Sequence, residues 1–114
     1  MARVVLVVDD EPLVGDYTAS VLNELGCVVV EAHNGTEALE QLAANPQIEI
    51  LLTDINMPGM GGYELAEKAK RLRAGLQVIL LSGVETSSRH YPLVRKPFMQ
   101  QDLVRVMEQT TGLC

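Results

Sequence analysis

Tryptophan is absent from this chain, phenylalanine occurs once, and cysteine occurs only at Cys27 and Cys114. The cysteines form no CxxC pair and have no histidine cluster beside them, so neither marks a redox motif or a metal site. Both are expected to be reduced, as cytosolic thiols are. Long apolar runs are also missing. Val4–Val8 and Val78–Leu81 are among the longest, far below the ~20 residues of a membrane helix. No leader precedes the first strand pattern, so no membrane insertion and a cytoplasmic location are expected. Positive charge is scarce, with 9 Lys and Arg against 15 Asp and Glu and a net charge of −6. That balance argues against direct nucleic acid binding, which draws on a surplus of cations. What remains, 47% hydrophobic and 21% charged residues, is the composition of a folded globular chain. The length suits one domain, taken as residues 1–114.

Short runs of valine, isoleucine and leucine alternate with helical patterns. Arg3–Val8, Cys27–Glu31, Glu49–Thr53, Gln77–Leu81 and Pro92–Arg95 are predicted strands, and their continuous apolar character suggests a parallel sheet covered on both faces. Pro12–Leu25 is a predicted helix stopped by Gly26, and Asn34 should cap a second over Gly35–Ala44. Gly62–Arg73 should turn Leu65, Ala69 and Leu72 inward and leave Lys68, Lys70, Arg71 and Arg73 in solvent. Gln100–Thr110 should pack Leu103, Val104 and Met107. Strands joined by helical crossovers make a doubly wound α/β domain, in which ligands bind beyond the carboxyl ends of the strands.

Chemistry gathers at those ends. The first strand runs into Asp9, Asp10 and Glu11, and the third runs into Asp54. If the two strands are neighbours, the carboxylates repel one another by several kcal/mol in a reduced dielectric. A cation must then balance them. Oxygen donors without Cys or His favour a hard ion, and Mg²⁺ takes one or two carboxylates together with water and phosphate oxygens. Asp10 or Glu11 would alternatively cap the helix that begins at Pro12, but this accounts for only one acid. Neutralising Asp9 and Asp10 together is expected to raise metal-free stability. Ser82 and Gly83 follow the fourth strand, and Lys96 with Pro97 follows the fifth, which adds a hydroxyl and an ammonium to the same edge.

The stretches VVLVVDDEP, LLTDINMPGMGG, VILLSG and LVRKPF resemble the receiver domain of bacterial response regulators and hybrid histidine kinases. The resemblance implies a five-stranded sheet in the flavodoxin-like order 2-1-3-4-5. It also implies a signalling switch that catalyses its own phosphorylation and dephosphorylation, with a histidine kinase or histidine phosphotransfer protein as donor. Position by position, Asp54 would be the phosphoacceptor and nucleophile and would join Asp9, Asp10 and the Asn56 carbonyl around Mg²⁺. Ser82, Gly83 and Lys96 would contact the phosphoryl oxygens. A haloacid-dehalogenase-type phosphatase uses similar groups, but its nucleophile opens a DxD motif after the first strand, where this chain has DDE. A flavodoxin-like nucleotide binder would need a phosphate loop rich in Gly, Ser or Thr at that place.

The chain departs from the family at several points. Leu93 stands where receivers usually carry Tyr or Phe, three residues before the lysine, and Tyr91 shares its strand face as a candidate substitute. Val84 cannot hydrogen-bond an attacking water, so a slow to moderate phosphoryl lifetime is expected. Gly83–Tyr91 is shorter than the ~10 to 12 residues of a complete βαβ crossover. The fourth helix of the family should therefore be missing or reduced to about one turn, and the domain should be a monomer or a weak dimer. Val14 and Tyr17, one turn apart beside the acidic pocket, are a candidate apolar patch for a partner helix.

Overall fold

The computed structural model describes residues 2–84 and 90–112. Its strands are β1 (Val4–Val8), β2 (Val28–Ala32), β3 (Ile48–Asp54), β4 (Gln77–Ser82) and β5 (Leu93–Arg95), and its helices are α1 (Pro12–Glu24), α2 (Gly35–Ala44), α3 (Gly62–Leu72) and α4 (Gln100–Gln109). Every strand pairing is parallel, and the order is β2-β1-β3-β4-β5. This is the order implied by the receiver resemblance, and most element boundaries agree with the sequence reading to within a residue.

Strand alternation divides the apolar side chains between two cores. Val4, Leu6 and Val8 pack with Ala38 and Leu42 of α2 and Leu65, Ala66 and Ala69 of α3. Val5 and Val7 pack with Val21 and Leu22 of α1 and Leu103 and Met107 of α4. Among the described residues, two helices thus cover each face of the sheet. Residues such as Leu6, Leu51 and Leu80 are fully buried, and truncating one to alanine would cost about 2 to 5 kcal/mol. At one edge of the sheet β2 leaves Val28 half exposed. The Asn34 side chain accepts the Glu37 N–H at 2.8 Å and starts α2 as expected. Gly26, at φ 92°, lets the chain leave α1 in a left-handed turn.

Five expectations need correction. Leu72, expected inside, is 61% exposed, while Arg73 turns in and donates to the carbonyls of Leu42 at 2.6 Å and Ile48 at 2.7 Å. The last carbonyls of a helix need donors, and the guanidinium meets that need at the position where a leucine could only have packed. Lys70, expected in solvent, likewise donates to the carbonyls of Ala74 and Leu76. Cys27, buried just ahead of β2, is disulfide-bonded rather than reduced; Cys114 lies outside the described residues. Tyr91 packs on the same cluster as Leu93, but β4–β5 pairing sets Leu93 opposite Leu80. That register puts Tyr91 level with Val78, about 13 Å along the strand from Ser82. The ring therefore sits at the wrong end of the sheet to replace the missing aromatic. Between β4 and β5, Gly83, Val84, His90 and Tyr91 are not helical, and residues 85–89, where a reduced fourth helix was expected, lie outside the described residues.

Candidate functional site

The parallel register brings four strand ends together. Val8 pairs with Thr53, so the next residues along, Asp9 and Asp54, emerge side by side. On the other flank Asp54 pairs with Leu81 and Ser82 pairs with Arg95, which places Ser82 and Lys96 one step beyond. Both aspartates are buried, Asp9 at 2% exposure and Asp54 at 5%. The Lys96 ammonium lies between them, 3.2 Å from Asp9 Oδ2 and 3.2 Å from Asp54 Oδ2. Asp9 Oδ1 also accepts the Glu11 N–H at 2.9 Å.

Carboxylate oxygens of Asp9, Asp10, Glu11 and Asp54 all lie within 4.8 Å of one another. Four acids facing one lysine leave negative charge in excess, and burial makes that excess costly. Burial lifts the Asp54 carboxyl above the usual carboxylate range; Lys96 opposes the rise, and Asp9 and Asp10 add to it. For Lys96 the balance goes the other way. Burial favours the neutral amine, but Asp54 and Asp9 outweigh it and hold the ammonium proton more tightly than in an ordinary lysine. The donor set is all oxygen, and a cation already stands between two of its members. It suits a hard divalent ion such as Mg²⁺.

Glu11 was not assigned to the metal set from sequence. It is the residue before α1, yet its side chain makes no capping hydrogen bond, so its carboxylate is not spent on the helix. The capping alternative does not hold for it.

The sequence model of the response regulator receiver domain matches residues 5–108. The chain belongs to that family. Among receiver relatives, the response regulator receiver protein CpdR of Brucella abortus is 32% identical over 117 residues, covering 96% of this chain and 96% of that protein. The autoinducer 1 sensor kinase/phosphatase LuxN of Vibrio campbellii is 33% identical over 92 residues, which are 81% of this chain but 11% of LuxN. The chain thus spans a small part of the sensor kinases it matches, and 8% of the sensor histidine kinase RcsC of Escherichia coli. In structure, the receiver domain of the hybrid histidine kinase CckA is similar with a TM-score of 0.80 and 31% identity, covering 93% of this chain and 96% of that one. The chemotaxis protein CheY4 of Vibrio cholerae reaches a TM-score of 0.88 at 23% identity, covering 96% and 99%, a likeness of fold.

Within this receiver the other expected residues spread around the acidic pocket. Ser82 is fully buried, and its hydroxyl accepts the Val84 N–H at 3.1 Å. Gly83 lines a groove with Lys96. Asn56 is exposed in the loop after β3, in contrast to buried Met57 beside it. That loop is drawn tight, because the Gly62 N–H donates to the Ile55 carbonyl at 2.8 Å and a Cβ at Gly62 would collide with the Asp54 carbonyl. Val14 is half-buried and Tyr17 is 47% exposed. Both line the groove of about 570 Å³ that runs past Leu13, Pro97 and Phe98 to Lys96. No helix among the described residues is long and apolar enough to cross a membrane.

Proposed function

We propose that this receiver takes a phosphoryl group onto Asp54 in a Mg²⁺-dependent reaction, from a histidine kinase or a histidine phosphotransfer protein, and works in the cytoplasm as a self-phosphorylating and self-dephosphorylating switch. One observation carries the reading: the buried Asp54 carboxylate has an ammonium 3.2 Å away and three further carboxylates within 4.8 Å. A nucleophile, a fixed cation and a hard-metal donor set are the groups that phosphoryl transfer requires.

An Asp54 carboxylate oxygen attacks phosphorus as the bond from phosphorus to the donor imidazole nitrogen breaks, and the imidazole leaves with its electron pair. Asp9, Asp10, Asp54 and the Asn56 carbonyl would hold the metal, with the Glu11 carboxylate at the same locus. When bound, Mg²⁺ supplies positive charge to the phosphoryl oxygens. Lys96 neutralises another of those oxygens, and the Ser82 hydroxyl, with Gly83 beside it, binds a third. Val14 and Tyr17 form the apolar landing for the donor helix. Val84, 76% exposed, brings no hydrogen-bonding group to a hydrolytic water, in keeping with a slow to moderate lifetime. As a single unit over residues 1–114, the domain is proposed to be a monomer or weak dimer.

Intact mass after incubation with acetyl phosphate tests the reading. One added phosphoryl group is expected with Mg²⁺ and none after chelation. Asp54→Asn should gain none under either condition, and undiminished labelling of that variant would refute the assignment.

A further inference from the structure

Tyr17 stands on the outer side of α1, yet it is tied to a different part of the chain. Its hydroxyl donates to the Phe98 carbonyl at 3.1 Å. Its ring leans on the Phe98 ring, with centroids 5.6 Å apart and planes inclined by 52°. Phe98 is 6% exposed and anchored in the core with Leu103 and Met107. Two residues before it is Lys96, whose ammonium bridges Asp9 and Asp54.

The loop from Lys96 to Met99 is pinned at each end. The Lys96 N–H donates to the Ser82 carbonyl at 2.7 Å, and the Met99 N–H donates to the Asp102 carboxylate at 2.8 Å. Between those pins the Tyr17 hydroxyl fastens the loop to α1. The lysine stem then reaches a site where sub-ångström placement matters, since its ammonium must serve two carboxylate oxygens at once. We infer that Tyr17 is a positioning residue for Lys96: its bond to the Phe98 carbonyl fixes the loop that delivers the ammonium to Asp54. The outer edge of the same ring lines the groove that continues to Lys96. A partner seated on Tyr17 therefore bears on the loop that carries the catalytic cation.

The inference rests on the reading that Lys96 neutralises the phosphoryl group, and the test separates the two. Tyr17→Phe keeps the ring contact and removes one hydrogen bond. Acetyl phosphate needs no docking helix, so a change in its rate cannot come from lost partner binding. With saturating Mg²⁺, Tyr17→Phe should label about three- to tenfold more slowly than wild type, the range one hydrogen bond spans. The Lys96 side-chain NMR resonances should shift while the unfolding midpoint moves little. In a Lys96→Met background, adding Tyr17→Phe should cause no further loss. Wild-type labelling by Tyr17→Phe with unmoved Lys96 resonances, beside a slow Lys96→Met, would overturn the positioning role alone. The same fold loss persisting without Lys96 would also overturn it. Labelling of Lys96→Met at the wild-type rate would instead remove the charge role of Lys96, and the inference with it.

Discussion

The two ends of the sheet handle charge in opposite ways. At the amino ends of the strands, cations are used on backbone carbonyls: Arg3 donates to Thr111, Lys70 to Ala74 and Leu76, and Arg73 to Leu42 and Ile48. The carbonyls of Leu42, Ala74 and Thr111 lie in or just past the closing turns of helices, where orphan acceptors and the negative end of the helix dipole collect, whereas those of Ile48 and Leu76 lie where β3 and β4 begin. At the carboxyl ends, Asp9, Asp10, Glu11 and Asp54 crowd together, and Asp9 and Asp54 share Lys96. Charge at the first end satisfies the fold. At the second it is left in surplus, poised for a ligand that can relieve it. Stability and chemistry therefore sit at opposite edges of one sheet.

Arg73→Ala should break the stable end most. It strips the donor from two carbonyls and is expected to cost about 2 kcal/mol, seen as a lower urea midpoint, with Asp54 still labelled at the wild-type rate. Loss of labelling in a protein that remains folded would show that the two ends are not separable.

The acidic end should respond with either sign, according to partners. Asp9 is buried and paired with Lys96, whereas Asp10 is only half-buried. The expectation that neutralising both raises metal-free stability therefore splits. Asp10→Asn should stabilise by roughly 0.5 to 1 kcal/mol through relief of like-charge repulsion. Asp9→Asn should destabilise by about 1 kcal/mol, because it leaves the half-buried ammonium with a single counter-ion. Thermal melts in chelator distinguish these signs, and added Mg²⁺ should stabilise wild type more than either variant.

The pH dependence sharpens the contrast further. Burial raises Asp54, and burial with Asp16 nearby raises Glu31 at the end of β2. A carboxyl raised in the folded state favours folding while it is protonated, and that contribution is lost as pH rises through the folded value. Metal-free wild type should thus gain stability as pH falls through the folded values of these two carboxyls. Asp54→Asn and Glu31→Gln should each flatten the curve, whereas Arg73→Ala should lower it without changing its shape. Urea midpoints across that range would show whether the acids or some other groups set the slope.

The smallest effect is expected at Val14→Ala, which is half-buried at the rim: under about 1 kcal/mol of stability, but measurably weaker binding to a phosphodonor protein by titration calorimetry. A large stability loss would return Val14 to the core.

Much of this was legible in the sequence because apolar runs end abruptly at the residues that matter. Asp54 and Ser82 close strands whose valines, isoleucines and leucines declare them, and parallel order then brings their ends together. Arg73 was not legible, since its inward turn depends on carbonyls at Leu42 and Ile48 that only the packed chain presents. Neither was the height of Tyr91: alternation gave its face correctly, but only the register of β4 against β5 gives its distance from Ser82. The bond from Tyr17 to Phe98 joins residues far apart in the chain, and no local pattern encodes it.

Gly62 carries a mechanical consequence. Because hydrogen is all that separates the start of α3 from the Asp54 carbonyl, no compressible side chain cushions the contact. Under the proposed phosphorylation, a small displacement of the Asp54 backbone would be handed on as a rigid push along a helix of 11 residues, about 16 Å, to exposed Leu72. Alanine at 62 would interpose a wedge there and force the start of α3 away from Asp54.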